Sequence, residues 1–237
     1  MWTGAMVERD TREHARREPA SDDATAAPRG RPGRREKNKE DKLRRIKDVA
    51  RELFVSKGFD DTTIRQIATR ADVGLGTVFI YAATKRDLLF LIANEGLDEV
   101  ASTAAASVDP EAALIDNLLG VFGPHYAFFA RQPELSRLVL REMAFYDSGA
   151  QAGSFQKTRE ALIELLGTIV RHAAERREIA TDEAPQFVGW TIFCIYQVEL
   201  RRWLSDGTID LESGLDRLRR ALMLLIRGLG SGSGTTR

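Results

Sequence analysis

Residues 62–82 read Thr62-Thr63-Ile64-Arg65-Gln66-Ile67-Ala68-Thr69-Arg70-Ala71-Asp72-Val73-Gly74-Leu75-Gly76-Thr77-Val78-Phe79-Ile80-Tyr81-Ala82. Ile64, Ile67, Ala68 and Ala71 fall at helical spacing, so one face of this segment is buried while Arg65, Gln66, Thr69 and Arg70 look outward. Thr62 or Thr63 precedes the run and is a good N-cap. Asp72-Val73-Gly74 then breaks the period, with Val73 as an apolar plug, and a second short helix starts near Leu75. Two short helices joined by a turn of this length have helix-turn-helix geometry, in which the second helix enters the major groove of DNA. Neither helix is long enough to stand alone, so both need a scaffold.

The flanks supply one. From Asn38 to Lys57, Leu43, Ile46, Val49, Ala50, Leu53 and Phe54 line one face of a predicted helix that Gly58 ends. Thr84 is the predicted N-cap of the next helix, with Asp87 balancing its dipole and Leu88, Leu89, Leu91 and Ile92 facing inward. The series Ile46, Ala50, Leu53-Phe54, Gly58-Phe59, Thr62-Thr63-Ile64, Ile67-Ala68, Ala71, Val73, Gly76-Thr77, Phe79, Tyr81 and Lys85 resembles the N-terminal DNA-binding domain of the TetR/AcrR family of bacterial transcriptional regulators. The resemblance covers roughly residues 38–95. It implies double-stranded operator DNA as partner, with Leu75, Gly76, Thr77 and Val78 facing bases and Arg44, Arg45, Thr63, Phe79, Tyr81 and Lys85 facing the phosphate backbone. The family usually has Ser where Gly74 stands, Tyr at Phe79 and Phe at Ala82. These departures remove a cap, a phosphate-contacting hydroxyl and core volume, so the expectation is the same fold with a shorter contact list.

Charge agrees with this placement. The formal net charge is zero, yet residues 29–90 hold sixteen Lys or Arg against nine Asp or Glu, while residues 91–237 hold fifteen against twenty. A basic end that coincides with a groove-reading motif is the footprint of a polyanion partner. Residues 1–37, rich in Arg, Glu, Asp, Ala and Pro, read as a disordered basic arm whose Arg29-Gly30-Arg31-Pro32-Gly33-Arg34 piece resembles a minor-groove arm.

Residues 96–229 stay helical without strand alternation, so the predicted fold is all-α: a three-helix helix-turn-helix domain followed by a helical ligand-binding and dimerisation domain, with a flexible tail over 230–237. Helices are expected to open at Pro110, Pro133 and Asp182, a further one to end near Ile179, and a last one to run from Leu211 to Leu229. His125, Phe129, Met143, Tyr146, Trp190, Phe193, Tyr196 and Gln197 gather aromatic bodies and a few polar tips in the middle helices. Such residues form either a core or a cavity for a small apolar or aromatic ligand, and the family resemblance implies the cavity. Leu211, Leu215, Leu218, Leu222 and Leu225 form a heptad-like seam, expected together with the helix from Asp182 to Leu204 to pair two copies of the chain.

Catalysis, cofactors and metals are not expected. None of His14, His125 or His172 has Glu three positions before it, as a di-metal bundle requires, and nucleophile-elbow or phosphate-loop patterns are missing. The alternative reading is a helical-bundle enzyme or small-molecule binding module with a degenerate helix-turn-helix, resting on Gly74, Phe79 and Ala82. Cys194 is the single cysteine and reads as a buried core residue. With a charged N-terminus and no run of eighteen apolar residues, a cytoplasmic protein without a membrane span is expected.

Overall fold

The computed structural model describes residues 33–230, so residues 1–32 of the arm predicted over 1–37, and the tail beyond 230, lie outside the described residues. Nine α-helices follow in order, with no strand among the described residues. The first, α1 (Arg34–Ser56), begins four residues before the expected Asn38, at a Gly33 N-cap without a side-chain bond. Arg, Glu and Lys are good helix formers, so the helix extends through a charged run that carries no apolar period. Ile46, Ala50, Leu53 and Phe54 are buried, and Gly58 follows at φ +96°, a left-handed conformation suited to glycine.

Helices α2 (Ile64–Arg70) and α3 (Leu75–Tyr81) make the predicted helix-turn-helix, and α4 (Lys85–Ala106) starts at Thr84 as expected. Thr63 is the α2 N-cap, in a box where its hydroxyl accepts from Gln66 N–H and the Gln66 side chain accepts from Thr63 N–H. Thr62 does something else. It is fully buried, and its single hydroxyl proton is shared between the carbonyls of Gly58 (2.7 Å) and Leu53 (3.2 Å), fastening the turn to α1.

Helix α5 (Leu114–Ala130) opens four residues after Pro110. The Asn117 amide holds residues 109–112 in a turn, donating to Asp109 O at 2.7 Å and accepting from Asp109 N–H at 2.9 Å. The Glu178 carboxylate then caps α5 by accepting from Leu114 N–H at 2.8 Å. Proline does open α6 (Pro133–Glu142), which tightens into a 3-10 turn over Met143–Phe145. Helix α7 (Ala152–Glu175) stops four residues short of Ile179, where Arg177 turns to φ +59°. Helix α8 (Pro185–Ser205) opens at Pro185 rather than Asp182, and α9 (Leu211–Gly230) closes the described chain.

Helices α1 and α3 pack on α4, and α2 packs on α1 and α3; α4 continues into the body formed by α5 to α9. The tightest crossing joins α7 to α8, where Gly189 lies against the backbone of Gly167.

Candidate DNA-reading head and effector cavity

Helix α3 is held by Val78, which is fully buried, and by Leu75 and Tyr81, which are half-buried against the core. Val78 therefore cannot read a base, and the expectation that it would is corrected. The outward face carries Gly76, Thr77, Phe79 and Ile80, with Phe79 50% and Ile80 75% exposed. Sequence reasoning passed over Ile80, which is the most exposed large apolar residue of the helix. Gly74 is the N-cap of α3 and forms no side-chain cap bond, as its departure from Ser implied. Ala82 is fully buried.

Around this helix, Asp72 turns at φ 52° and meets Arg45 at 3.4 Å, while Arg44 is exposed and paired with Asp41 at 2.7 Å. Thr63 is exposed at the start of α2 with its hydroxyl spent on the cap. Lys85 is a staple: its ammonium donates to Phe59 O at 2.7 Å and Asp60 O at 2.9 Å and lies 4.9 Å from the centre of the Phe59 ring. An ammonium has three donors, so at most one N–H remains for a phosphate.

The junction behind α3 is a polar latch. Asp87, buried in the first turn of α4, accepts from Tyr146 hydroxyl (2.6 Å), Thr84 hydroxyl (3.0 Å), Thr84 N–H (3.1 Å) and Ala83 N–H (3.2 Å). Burial alone would raise its pKa, but these hydrogen bonds to the charged form outweigh it and hold the carboxyl below the ordinary range. The Tyr146 ring stacks on Phe90 with centroids 3.9 Å apart, and burial followed by the bond to Asp87 pushes its hydroxyl pKa far up. Arg86 pairs with Glu142 at 3.3 Å and lies over the Tyr146 ring. From the same loop, the Gln151 side chain donates to the carbonyl of Tyr81, the last residue of α3, at 3.2 Å. Gly149 sits at φ +129°, and any Cβ there would come within 2.3 Å of an Asp87 oxygen.

Six of the eight predicted cavity residues, His125, Phe129, Met143, Phe193, Tyr196 and Gln197, line one cavity of about 40 Å³. The remainder of the wall, Leu97, Phe155, Thr158, Arg159 and Leu162, comes from α4 and α7. Two predicted residues are not in it. Tyr146 is consumed by the latch, and Trp190, at 48% exposure, faces outward from α8. Met143 and Phe155 link the two sites, since Tyr146 lies three residues beyond Met143 and the Phe155 ring is 4.9 Å from Phe90. His125 shares a hydrogen bond between Nδ1 and Val121 O at 2.8 Å, and burial lowers its pKa, so it is a neutral packing residue. Among the described residues no group of three His, Cys, Asp or Glu is gathered to hold a metal, and no helix is long and apolar enough to cross a membrane.

The leucine seam of α9 is turned inward. Leu218 and Leu222 are fully buried, and Leu215 and Leu225 are packed against the same core, where α9 meets α5 and α8. Leu211 stands at the start of the helix, 38% exposed. The seam is therefore covered within one chain, and its assignment to an interface between copies is corrected. Cys194 is half-buried rather than core. The apolar residues left exposed on the last two helices include Phe187, Trp190 and Val198 on α8 and Leu224, 73% exposed, on α9.

Residues 46–92, which span the α1 core, the helix-turn-helix and the start of α4, match the family model described as bacterial regulatory proteins, tetR family. Residues 46–92 therefore form a DNA-binding domain of the tetR type. The chain is a DNA-binding transcriptional regulator. Over 197 residues it is 24% identical to a fatty acid metabolism regulator protein of Bacillus subtilis strain 168, covering 81% of this chain and 98% of the relative. Its fold is similar to that of Thermus thermophilus FadR, a TetR family transcriptional repressor solved in complex with lauroyl-CoA, with a TM-score of 0.58 and 24% identity over 82% of this chain and 96% of the other. A tetR family regulatory protein from Rhodococcus RHA1 gives the same TM-score, 0.58, at 22% identity over 80% of this chain and 97% of that one. These structural likenesses concern the fold.

Proposed function

We propose that the protein is a homodimeric repressor in which residues 33–95 read operator DNA and residues 96–229 bind a small molecule with an apolar body and couple that binding to release of DNA. The observation that carries this reading is the bridge between the two parts: cavity residues Met143 and Phe155 adjoin Tyr146, whose hydroxyl is bonded to Asp87, while Gln151 holds the end of α3. A ligand that moved the 3-10 turn would change bonds that set where α3 and α4 meet. Its effect is limited by its differential affinity for the two arrangements. The alternative of a degenerate helix-turn-helix is not carried further, because Gly74, Phe79 and Ala82 lie inside the family match.

On this reading Thr77, Phe79 and Ile80 reach base edges and Arg44, Arg45 and Arg65 reach phosphates. In gel shifts with the DNA upstream of the protein's own gene, Thr77→Ala is expected to alter sequence preference. Arg45→Ala is expected to weaken binding on every sequence and lower the salt slope by about one. Equal effects of both on all sequences would remove the assignment.

A two-fold operator needs two heads spaced by about 34 to 36 Å or a multiple, and each chain carries one. The face that supports pairing is Phe187, Trp190 and Val198 of α8 with Leu224 of α9, large apolar groups that the described residues leave exposed. Phe187→Arg with Leu224→Arg is expected to halve the mass seen by light scattering at unchanged helicity. A variant that keeps the wild-type mass excludes this face. Leu218→Arg with Leu222→Arg, by contrast, would unfold the chain, since both are core.

A further inference from the structure

Helix α3, which helix-turn-helix geometry sends into the major groove, carries almost no hydrogen-bonding side chains. Residues 75–81 contain no Arg, Lys, Asn, Gln, Asp or Glu, the residues that pair with guanine, adenine and cytosine edges. Of the outward residues Gly76, Thr77, Phe79 and Ile80, only Thr77 has a side-chain donor or acceptor, and Tyr81 is half-buried behind them. The neighbouring helix does not make up the deficit: on α2 the Gln66 side chain closes the capping box and Arg70 is paired with Glu52. What α3 offers instead is apolar. Among the described residues of the reading head, Val55, Phe79 and Ile80 are the large apolar side chains left exposed, and the last two are adjacent on α3. Helix side chains lean toward the N-terminus, so Ile80 stands over Gly76 and Thr77, three and four residues before it. Gly76 leaves open space there, since a Cβ would meet nothing within 4 Å.

A single exposed apolar side chain is ordinary, but two side by side on a groove-entering helix stabilise the complex only where they meet apolar surface. In the major groove that surface is the C5-methyl group of thymine, which no other standard base carries. The exposed Arg44, Arg45 and Arg65 supply charge toward the phosphates, which positions the head and leaves the choice of base to α3. We propose that α3 selects T·A pairs by apolar contact: Ile80 packs on a thymine methyl, Phe79 shields that contact from water, and Thr77 gives the one hydrogen bond to a base edge. This rests on the reading in which Thr77, Phe79 and Ile80 reach base edges.

In the test the full-length protein first selects its site from random duplexes. The selected operator is then remade with deoxyuridine in place of one thymidine at a time, which removes the methyl and keeps the O4 acceptor and the base pairing. At one position or more, wild type is expected to lose about threefold to fivefold in affinity, the factor that goes with one buried methyl-sized group. The ratio between the two duplexes should stay constant as salt rises, although both affinities fall, because the methyl contact releases no counterion. Ile80→Ala changes an exposed side chain and should keep the wild-type melting temperature. It should weaken binding to the thymidine operator and bind the thymidine and deoxyuridine duplexes equally at that position, while Ile80→Val should keep most of the difference. If deoxyuridine binds as thymidine does at every position, or Ile80→Ala keeps the full difference, the methyl contact is overturned while base reading by α3 stands. If no sequence is enriched, or Thr77→Ala and Ile80→Ala both select the wild-type sequence with wild-type affinity, the base-edge reading itself fails, and the methyl contact fails with it.

Discussion

Gly189→Ala is expected to destabilise the protein by about 3 kcal/mol, the upper part of the usual range for overpacking. A Cβ at this position would lie 2.5 Å from Gly167 N, 2.9 Å from Gly167 Cα and 3.0 Å from the Leu166 carbonyl carbon. All three are backbone atoms of α7, so no rotamer change can make room and the two helices must part. For a chain of this size the melting temperature should fall by roughly 6 to 12 °C. Gly167→Ala is the milder member of the pair, because its Cβ would meet Gln186 Cα at 3.3 Å, which a shift of a few tenths of an ångström relieves. Gly153, in the first turn of α7 with nothing within 4 Å of its Cβ position, is the control, where alanine should be neutral or stabilising. Thermal melts of the three variants by circular dichroism decide the matter. A Gly189→Ala protein that melts with wild type would mean that α7 and α8 do not cross at this distance.

Asp87→Ala should be comparably damaging and should also abolish operator binding. The substitution strands the buried Tyr146 hydroxyl and the N–H groups of Ala83 and Thr84, each bonded to Asp87 in the native fold. Unsatisfied buried groups cost about 1 to 3 kcal/mol each, and partial rescue by water brings the expected loss to about 3 kcal/mol. Tyr146→Phe removes one of these bonds and should cost about 1 kcal/mol, leaving DNA binding intact and weakening its response to ligand. The pH dependence follows from the direction of the Asp87 shift. Its folded pKa lies below the ordinary 3.8, so its stabilising contribution is full above that value and is lost as pH falls through the lower folded one. The stability gap between wild type and Asp87→Asn, measured by urea unfolding, is therefore expected to be constant near neutral pH and to shrink below about pH 4. A gap that stays constant down to pH 2 would show that the charged form is not the one held in the latch.

The features readable in the sequence are those settled by neighbours along the chain. The boxes Thr63 with Gln66 and Thr84 with Asp87 each lie within one turn, and both form. The start of α1 is hidden from a periodicity argument because Arg34 to Lys37 carry helix propensity but no apolar signal, and the start of α5 because Pro110 is held in a turn by Asn117, seven residues on. Val78 and Ile80 are both β-branched and apolar, and only packing against neighbouring helices makes one buried and the other 75% exposed. The heptad seam implies that Leu218 and Leu222 are covered, but spacing carries no information on which chain covers them. The cavity is legible in its aromatics and not in Leu97, Thr158 or Arg159, which only the packing of α4 and α7 against the middle helices brings to its wall.

Because Leu218 and Leu222 are spent against α5 and α8, each protomer completes its own interior before it meets a second copy. On the proposed pairing through the α8 face, the dimer is a contact between finished molecules rather than a joint act of folding. Two consequences are kinetic: subunits of such a dimer can exchange without unfolding, and dilution should lower operator occupancy while leaving the helical signal untouched. A third is genetic. A copy with a damaged α3 still folds and still offers a sound α8 face, so it can sequester intact copies into one-headed pairs, and defects in the reading helix should behave as dominant when both forms are made in one cell.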